Sequence, residues 1–235
     1  LVYDPDVTDP VEPHLRHGYT RLSMSGGTGN DGAFCGVSFL PLYNSMFDMN
    51  PGMKPGFQLT ALGVAARYYT GGDKERKASL ERISLCDLLV MNMSKTSGAC
   101  TRVRIEGNRF VADDSRPFSA DIRFGRGKFA YSRSAGIFYA TADADLRAYR
   151  ADGRMKGVAG PGAAIGLSSD WLCVKTTIEA EAFYYVGSSR RYIAKVSCAN
   201  SINLSKYVSL HVKGFVSRIK GSTPYEAEGG IDFYF

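Results

Sequence analysis

Three histidines, His14, His17 and His211, are the residues of this chain best suited to moving protons near neutral pH. Acyl hydrolysis would need one of them beside a nucleophilic serine, in an arrangement recognised by geometry rather than by spacing. His211 stands two residues from Ser209, and His17 alternates in step with Tyr19, Arg21 and Ser23. Those spacings put each histidine on the polar side of a strand, where a hydrogen-bonding role fits better than catalysis. Five cysteines, Cys35, Cys86, Cys100, Cys173 and Cys198, show no C-x-x-C spacing and leave at least one unpaired, so no zinc site is indicated. Cys86 and Cys100 flank one turn and are candidates for pairing. Cys173 and Cys198 fall on successive strands at opposite parity, so a bridge between them needs a bulge. No other residue set calls for a metal or a cofactor. Gly26 to Gly32 contains a formal G-x-G-x-x-G, but the dinucleotide fingerprint must open a helix. Ala33 to Phe39, directly after it, alternate like a strand, so the glycine stretch is expected to be a hairpin loop.

The more abundant chemistry is electrostatic. Arg102, Arg104, Glu106, Asp121, Arg123, Asp143, Asp145, Arg147, Lys175, Glu179, Glu181, Lys195, His211, Lys213, Glu226, Glu228 and Asp232 each alternate with apolar or small neighbours. Facing rows of opposite sign can neutralise one another. Such rows serve either as the lining of a polar conduit or as the filling of a narrow barrel, and the filling is the better fit.

The elements that carry these rows are strands. Tyr225, Ala227, Gly229, Ile231, Phe233 and Phe235 form one face of the last stretch, opposite Glu226, Glu228, Gly230, Asp232 and Tyr234, a period of two. An apolar face ending on aromatics is what the girdle of a transmembrane barrel requires. Upstream, alternation or an apolar run marks Gly18 to Ser25, Phe57 to Tyr69, Leu80 to Asn92, Cys100 to Glu106, Phe118 to Tyr131, Ile137 to Tyr149, Val158 to Leu167, Leu172 to Val186, Tyr192 to Leu204 and Tyr207 to Ile219. Within Phe118 to Tyr131, the step Gly125-Arg126-Gly127 is expected to host a bulge, because Phe129 and Tyr131 otherwise leave the apolar face of Phe118, Ala120, Ile122 and Phe124. The fold class is all-β, an antiparallel transmembrane β-barrel of about twelve strands. An even number returns both ends to one side, taken as periplasmic. Short turns at Ser132 to Gly136 and Ser168 to Asp170 fall there, as does the longer Asn44 to Gly56, read as a packed lid or plug.

Composition permits this and excludes little else. The apolar fraction of 44% and slightly negative mean hydropathy suit a barrel with a polar interior, and no run approaches the ~20 apolar residues of a spanning helix. The net charge of +6 is scattered rather than clustered, which speaks against nucleic acid. Residues 1 to 13 hold three prolines and four acidic residues without periodicity and read as a periplasmic lead-in, with the barrel over 14 to 235. No basic and apolar leader opens the chain, so a secretion signal is expected to have been removed or to belong upstream.

Gly229, Ile231, Phe233 and Phe235 resemble the C-terminal assembly signal of bacterial outer-membrane barrels. Arg21-Leu22, Phe39 to Asp48, Pro55 to Leu59 and Leu80 to Asp87 resemble the C-terminal barrel region of Lnb-like proteins. That second resemblance covers roughly residues 14 to 90 with loose motifs. It implies an outer-membrane protein whose longer relatives carry a periplasmic, cysteine-dependent domain linked to lipoprotein N-acyl transfer. This sequence is expected to begin where the barrel begins, so no residue of that domain is carried over. Three functions are compatible with these readings. A membrane anchor or scaffold for a periplasmic enzyme or multi-protein complex leads, ahead of a small porin-like channel and of an outer-membrane lipid- or lipoprotein-modifying enzyme. This chain alone is not expected to be a catalyst. The expected partners are outer-membrane lipid, lipopolysaccharide phosphates met by Lys74, Arg76, Lys77, Arg190 and Arg191, the barrel-assembly machinery, and a periplasmic protein held by Met46, Phe47, Met49 and Met53.

Overall fold

The computed structural model describes residues 18–44, 57–70, 78–91, 96–109, 118–132, 135–151, 153–171, 174–186, 192–219 and 222–235. Their regular structure is entirely β: β1 (Arg21–Gly29), β2 (Gly32–Leu40), β3 (Leu42–Asn44), β4 (Phe57–Tyr69), β5 (Ala78–Met91), β6 (Ser97–Arg109), β7 (Phe118–Ser132), β8 (Gly136–Ala151), β9 (Arg154–Trp171), β10 (Val174–Tyr184), β11 (Tyr192–Asn203), β12 (Val208–Ile219) and β13 (Tyr225–Tyr234). Neighbours in sequence pair antiparallel. β2 and β3 lie end to end against β4, separated by Pro41, which cannot donate to a ladder. They form one stave. β13 returns to β1, from Arg21↔Tyr234 to Gly29↔Glu226, and the sheet closes as an antiparallel barrel of twelve staves.

Closure forces every stave to send alternate residues inward and outward. On β12, Leu210, Val212 and Val216 face out, while Ser209, His211 and Ser217 are buried within. On β8, Phe138 and Leu146 face out against inward Asp143 and Asp145. The result is an apolar outer wall around a polar interior, the inverse of a water-soluble fold. No helix among the described residues is long and apolar enough to cross a membrane.

Apolar side chains also enter the lumen near its two ends. At the end where β1 starts and β13 finishes, here the terminal end, Leu89, Met91, Cys100, Phe129, Ile137 and Tyr139 pack together, and Leu40, Tyr43 and Tyr234 form a smaller cluster. Tyr149, Val158, Phe183 and Tyr185 pack at the opposite, hairpin end.

Several expectations are corrected here. The bulge expected at Gly125 to Gly127 is absent: β7 pairs without a register break on either side. Phe129 and Tyr131 instead continue the inward parity, because the lumen end accepts apolar side chains. Gly26 to Gly29 lie within β1 rather than in a loop, and the turn is Asn30-Asp31 before Gly32, whose φ is 100°. A Cβ at Gly27 would stand 2.4 Å from the Ala227 carbonyl oxygen, so the glycine lets the strands and the Phe34 ring approach. Ser168 to Asp170 extend β9 instead of forming a turn. Cys86 and Cys100 are free thiols, as are Cys35 and Cys198. The long connection 45–56 and the lead-in 1–13 lie outside the described residues.

Beside a register shift between Ala65 and Ala66 where β4 pairs β5, a larger irregularity crosses three staves. Leu40 and Tyr43 both face in, with Pro41-Leu42 between them. Thr60 and Gly63 face in around Ala61-Leu62, and Ser84 and Asp87 around Leu85-Cys86. Each step places two successive residues away from the lumen and flips the parity of the rest of the strand. β5 shows the matching register break against β6. Leu62 bears the strain, at φ 57°, a left-handed conformation that a branched side chain adopts at a cost.

Candidate functional site

The bulge line determines which groups the terminal end of the lumen receives. Beyond it Tyr43, Gln58 and Asp87 point inward, joined by Arg21 of β1. The Arg21 guanidinium lies 3.8 Å over the Tyr43 ring and donates to its hydroxyl at 2.5 Å. Gln58 Nε2 donates to Asp87 Oδ2 at 3.2 Å, and Arg104 Nε stands 3.5 Å from that oxygen. Spacing put Arg21 on the polar parity of its strand, where it is indeed buried, but missed Arg67 and Asp87 as interior charges, because parity counted from either side of a bulge fails on the other.

Charged groups then cross the middle of the barrel. Arg102 on β6 makes two hydrogen bonds to Glu179 on β10, at 2.8 and 3.2 Å, although β7, β8 and β9 separate the two staves. Arg102 is 2% exposed. The Tyr139 hydroxyl donates to the same carboxylate. Arg123 donates to Glu181 at 2.6 Å with its guanidinium 4.2 Å over the Phe183 ring, and Lys195 Nζ is 4.0 Å from Glu181. Arg147 holds Asp145 at 3.0 Å, and Tyr185 donates to that aspartate as well. Glu106 accepts from Asn108 at 2.7 Å. A buried carboxylate that takes a forked guanidinium and a phenol has its lone pairs satisfied, which is the condition for tolerating charge away from water.

A second network lines the wall formed by β12, β13 and β1. His211 Nδ1 lies 2.9 Å from Asp232 Oδ2, with Arg21 Nη1 at 3.8 Å from that oxygen. Ser209 bonds the Tyr234 hydroxyl at 2.9 Å and Asp232 at 3.5 Å. Histidine and serine thus share one carboxylate instead of bonding each other, and His211 Nε2 faces Glu228 at 4.0 Å. Lys213 stands 3.8 Å from Glu228. Toward the hairpin end Arg67 grips Glu226 at 2.6 and 2.7 Å and Glu228 at 3.0 Å, its guanidinium stacked on Phe34.

Other residues singled out in the sequence are not drawn into these networks. Asp121 and Asp143 are buried, and neither carboxylate has a hydrogen-bond partner among the described residues. Lys175 pairs with Asp170 at 3.3 Å near the terminal rim. Gly229, Ile231 and Phe235 face outward, and Phe235 exchanges two backbone hydrogen bonds of 3.1 Å with Thr20. Phe233 is partly buried on the same parity. Met46, Phe47, Met49, Met53, the basic residues 74, 76, 77, 190 and 191, and Cys173 lie outside the described residues. Among the described residues no cluster of His, Cys, Asp or Glu is arranged to hold a metal.

What remains of the lumen is a cavity of about 760 Å³ on the side of β1–β5 and β11–β13. It reaches from Arg21, Tyr43 and Gln58 at the terminal end to Asn30, Tyr69 and Tyr225 at the hairpin end. The filled half, around Arg102, Arg123, Glu179 and Glu181, forms one of its walls.

Among solved structures the chain is similar to the NanC porin, with a TM-score of 0.56 at 6% identity over 91% of this chain and all of that one. It also aligns with OmpTdeltaL8, a loop L8 deletion mutant of the outer membrane protein OmpT of Vibrio cholerae, at a TM-score of 0.48 and 5% identity over 92% and 97% of the two chains. For the KdgM porin the values are 0.44 and 12% over 92% and 99%. No curated protein matches the chain in sequence. The likeness to the NanC porin is one of fold, and it agrees with the closed, outward-apolar barrel: this is an outer-membrane-type, porin-like β-barrel. In sequence the match that spans these same staves, over residues 10–234, is to one family model, and by it the chain belongs to the family described as Domain of unknown function (DUF7840).

Proposed function

We propose that the chain resides in a bacterial outer membrane and serves as the anchor or scaffold of a periplasmic enzyme or multi-protein complex. The observation that carries this reading is the lumen, which is crossed from wall to wall by Arg102–Glu179 and Arg123–Glu181. Pulling one partner from a buried pair costs about 3–5 kcal/mol, so those staves are tied together rather than held apart around a wide pore. Apolar packing at the terminal end narrows the lumen further. The resemblance of residues 14 to 90 to the barrel region of Lnb-like proteins points the same way, because there the barrel accompanies a periplasmic domain.

The cavity favours a second reading, a narrow polar conduit for ions or small solutes, since it runs along the lumen between the two ends. Planar-bilayer recording separates the two. An anchor gives no unitary steps in the parent protein and gains them when Arg102 and Glu179 are both replaced by alanine. Discrete, reproducible steps in the unmodified barrel would sink the anchor reading and support the conduit. For the scaffold role, replacing Met46 and Phe47 by serine should reduce co-purification of a periplasmic partner while the barrel still folds. Undiminished co-purification would remove that segment from the contact.

A further inference from the structure

Among the described residues and away from the strand ends, one sector of the outer wall breaks the apolar rule. On β7 the outward row reads Phe118, Ala120, Ile122 and Phe124, and then Arg126 and Lys128 before Ala130 and Ser132. Both cations are exposed on the lipid-facing side, and among the described residues neither has an ion-pair or hydrogen-bond partner. They are not at the rim. Arg126 lies six residues before the end of β7, so a rise of ~3.3 Å per residue and a tilt of ~40° put it roughly 15 Å from that strand end. Lys128 lies roughly 10 Å from it by the same arithmetic. Across the ladder they face Ala142 and Ala140 of β8 on one side and Thr101 and Ala99 of β6 on the other. All four neighbours are small, and a recess of about 450 Å³ is bordered by Ser97, Ala99, Arg126 and Lys128.

Unpaired cations on the hydrocarbon face of a barrel are destabilising unless they reach water or an anion. The order of groups along β7 matches one occupant in particular. A phospholipid of the leaflet at the terminal end directs its phosphate toward that end and its acyl chains toward the middle of the bilayer. By the same arithmetic β7 rises roughly 35 Å, so Lys128 stands on the terminal side. Arg126 sits next to the middle with a side chain long enough to extend toward the terminal end, and Phe124 and Ile122, 54% and 52% exposed, continue just past the middle. We infer that the β6–β7 recess is a binding site for one glycerophospholipid, its phosphate held by Arg126 and Lys128 and its acyl chains laid along Ile122 and Phe124. Arginine supplies a planar fork to two phosphate oxygens and lysine a point charge to a third. The small residues on β6 and β8 leave room for the headgroup.

Native mass spectrometry of the detergent-purified barrel, supplied with dioleoyl phosphatidylglycerol, tests this. The parent should retain one phospholipid per chain. Arg126→Gln with Lys128→Gln should weaken retention about tenfold or more, as expected for losing two charge-assisted contacts. Arg150→Gln with Lys206→Gln, basic positions outside the recess, should leave it unchanged. Mobility of unheated against boiled protein on a gel verifies folding. If the glutamine pair does not fold, Arg126→Leu with Lys128→Leu extends the apolar row and serves instead. Equal retention by parent and variant, equal retention of dioleoylglycerol, which lacks the phosphate, or displacement by millimolar inorganic phosphate without any acyl chain would each overturn the proposal. So would an acidic membrane protein that co-purifies one to one with the parent and is lost from the variant.

Discussion

Arg102 shows what burial does to a charge in this protein. Its partner Glu179 receives both a guanidinium fork and the Tyr139 hydroxyl, so removing the arginine leaves a carboxylate buried with one neutral donor. Arg102→Ala should therefore lower the unfolding free energy of the refolded barrel by about 3–5 kcal/mol in a urea titration, and adding Glu179→Gln should return part of that loss. Lys175→Ala is the contrast. Its partner Asp170 is 60% exposed, so the same titration should change by at most about 1 kcal/mol. If both variants behave alike, burial is not what distinguishes these pairs. The inward side of Glu179 and Glu181 was legible in the alternation with Ala180 and Ala182. That Glu179 meets Arg102 was not, because three staves lie between them and no spacing along the chain encodes a partner across a lumen. Tyr139 and Tyr185 were missed for a related reason: read by type they belong to a girdle, yet their hydroxyls complete carboxylates inside.

At the level of strands, β10, β12 and β13 could be read almost to the residue, since their polar and apolar rows never change sides. β4 and β5 could be placed but not phased. The two-residue steps at Ala61-Leu62 and Leu85-Cys86 carry apolar residues in both positions, so hydrophobicity gives no sign that the parity flips, while Gly125 to Gly127, which looks like a bulge, is regular strand. Leu62 offers a direct measure of the strain at that line. It is 62% exposed and faces outward, so Leu62→Gly and Leu62→Ala lose the same outer contact and differ in backbone alone. In an ordinary strand glycine is the worse of the two by about 0.5–1 kcal/mol. At φ 57° the order should reverse, with Leu62→Gly more stable than Leu62→Ala by about 1 kcal/mol. Retention of the ordinary order would mean that the step is not left-handed in the membrane.

Over the whole molecule, the fold has one joint where the earliest and latest staves meet, and the ladder there is rich in glycine: Gly26 and Gly27 of β1 oppose Gly229 and Glu228 of β13. Few side chains interlock across such a stretch. Arg67 compensates from inside. It reaches from β4 past β2 and β1 to Glu226 and Glu228 on β13, tying together four staves around the closure, and the same side chains line the hairpin end of the cavity. Stability and access are therefore coupled through one latch. Glu226→Gln with Glu228→Gln removes both charges from a largely buried arginine, and the cost should be on the order of 3 kcal/mol. The unboiled barrel should then unfold at a lower temperature on a gel. The same variant should conduct more readily in a bilayer than the parent, because freeing Arg67 widens the hairpin end, whereas the Lys175→Ala barrel should match the parent in both assays. A latch variant that loses thermal stability without any change in conductance would show that Arg67 holds the joint alone and that the constriction lies elsewhere, among the apolar side chains of the terminal end.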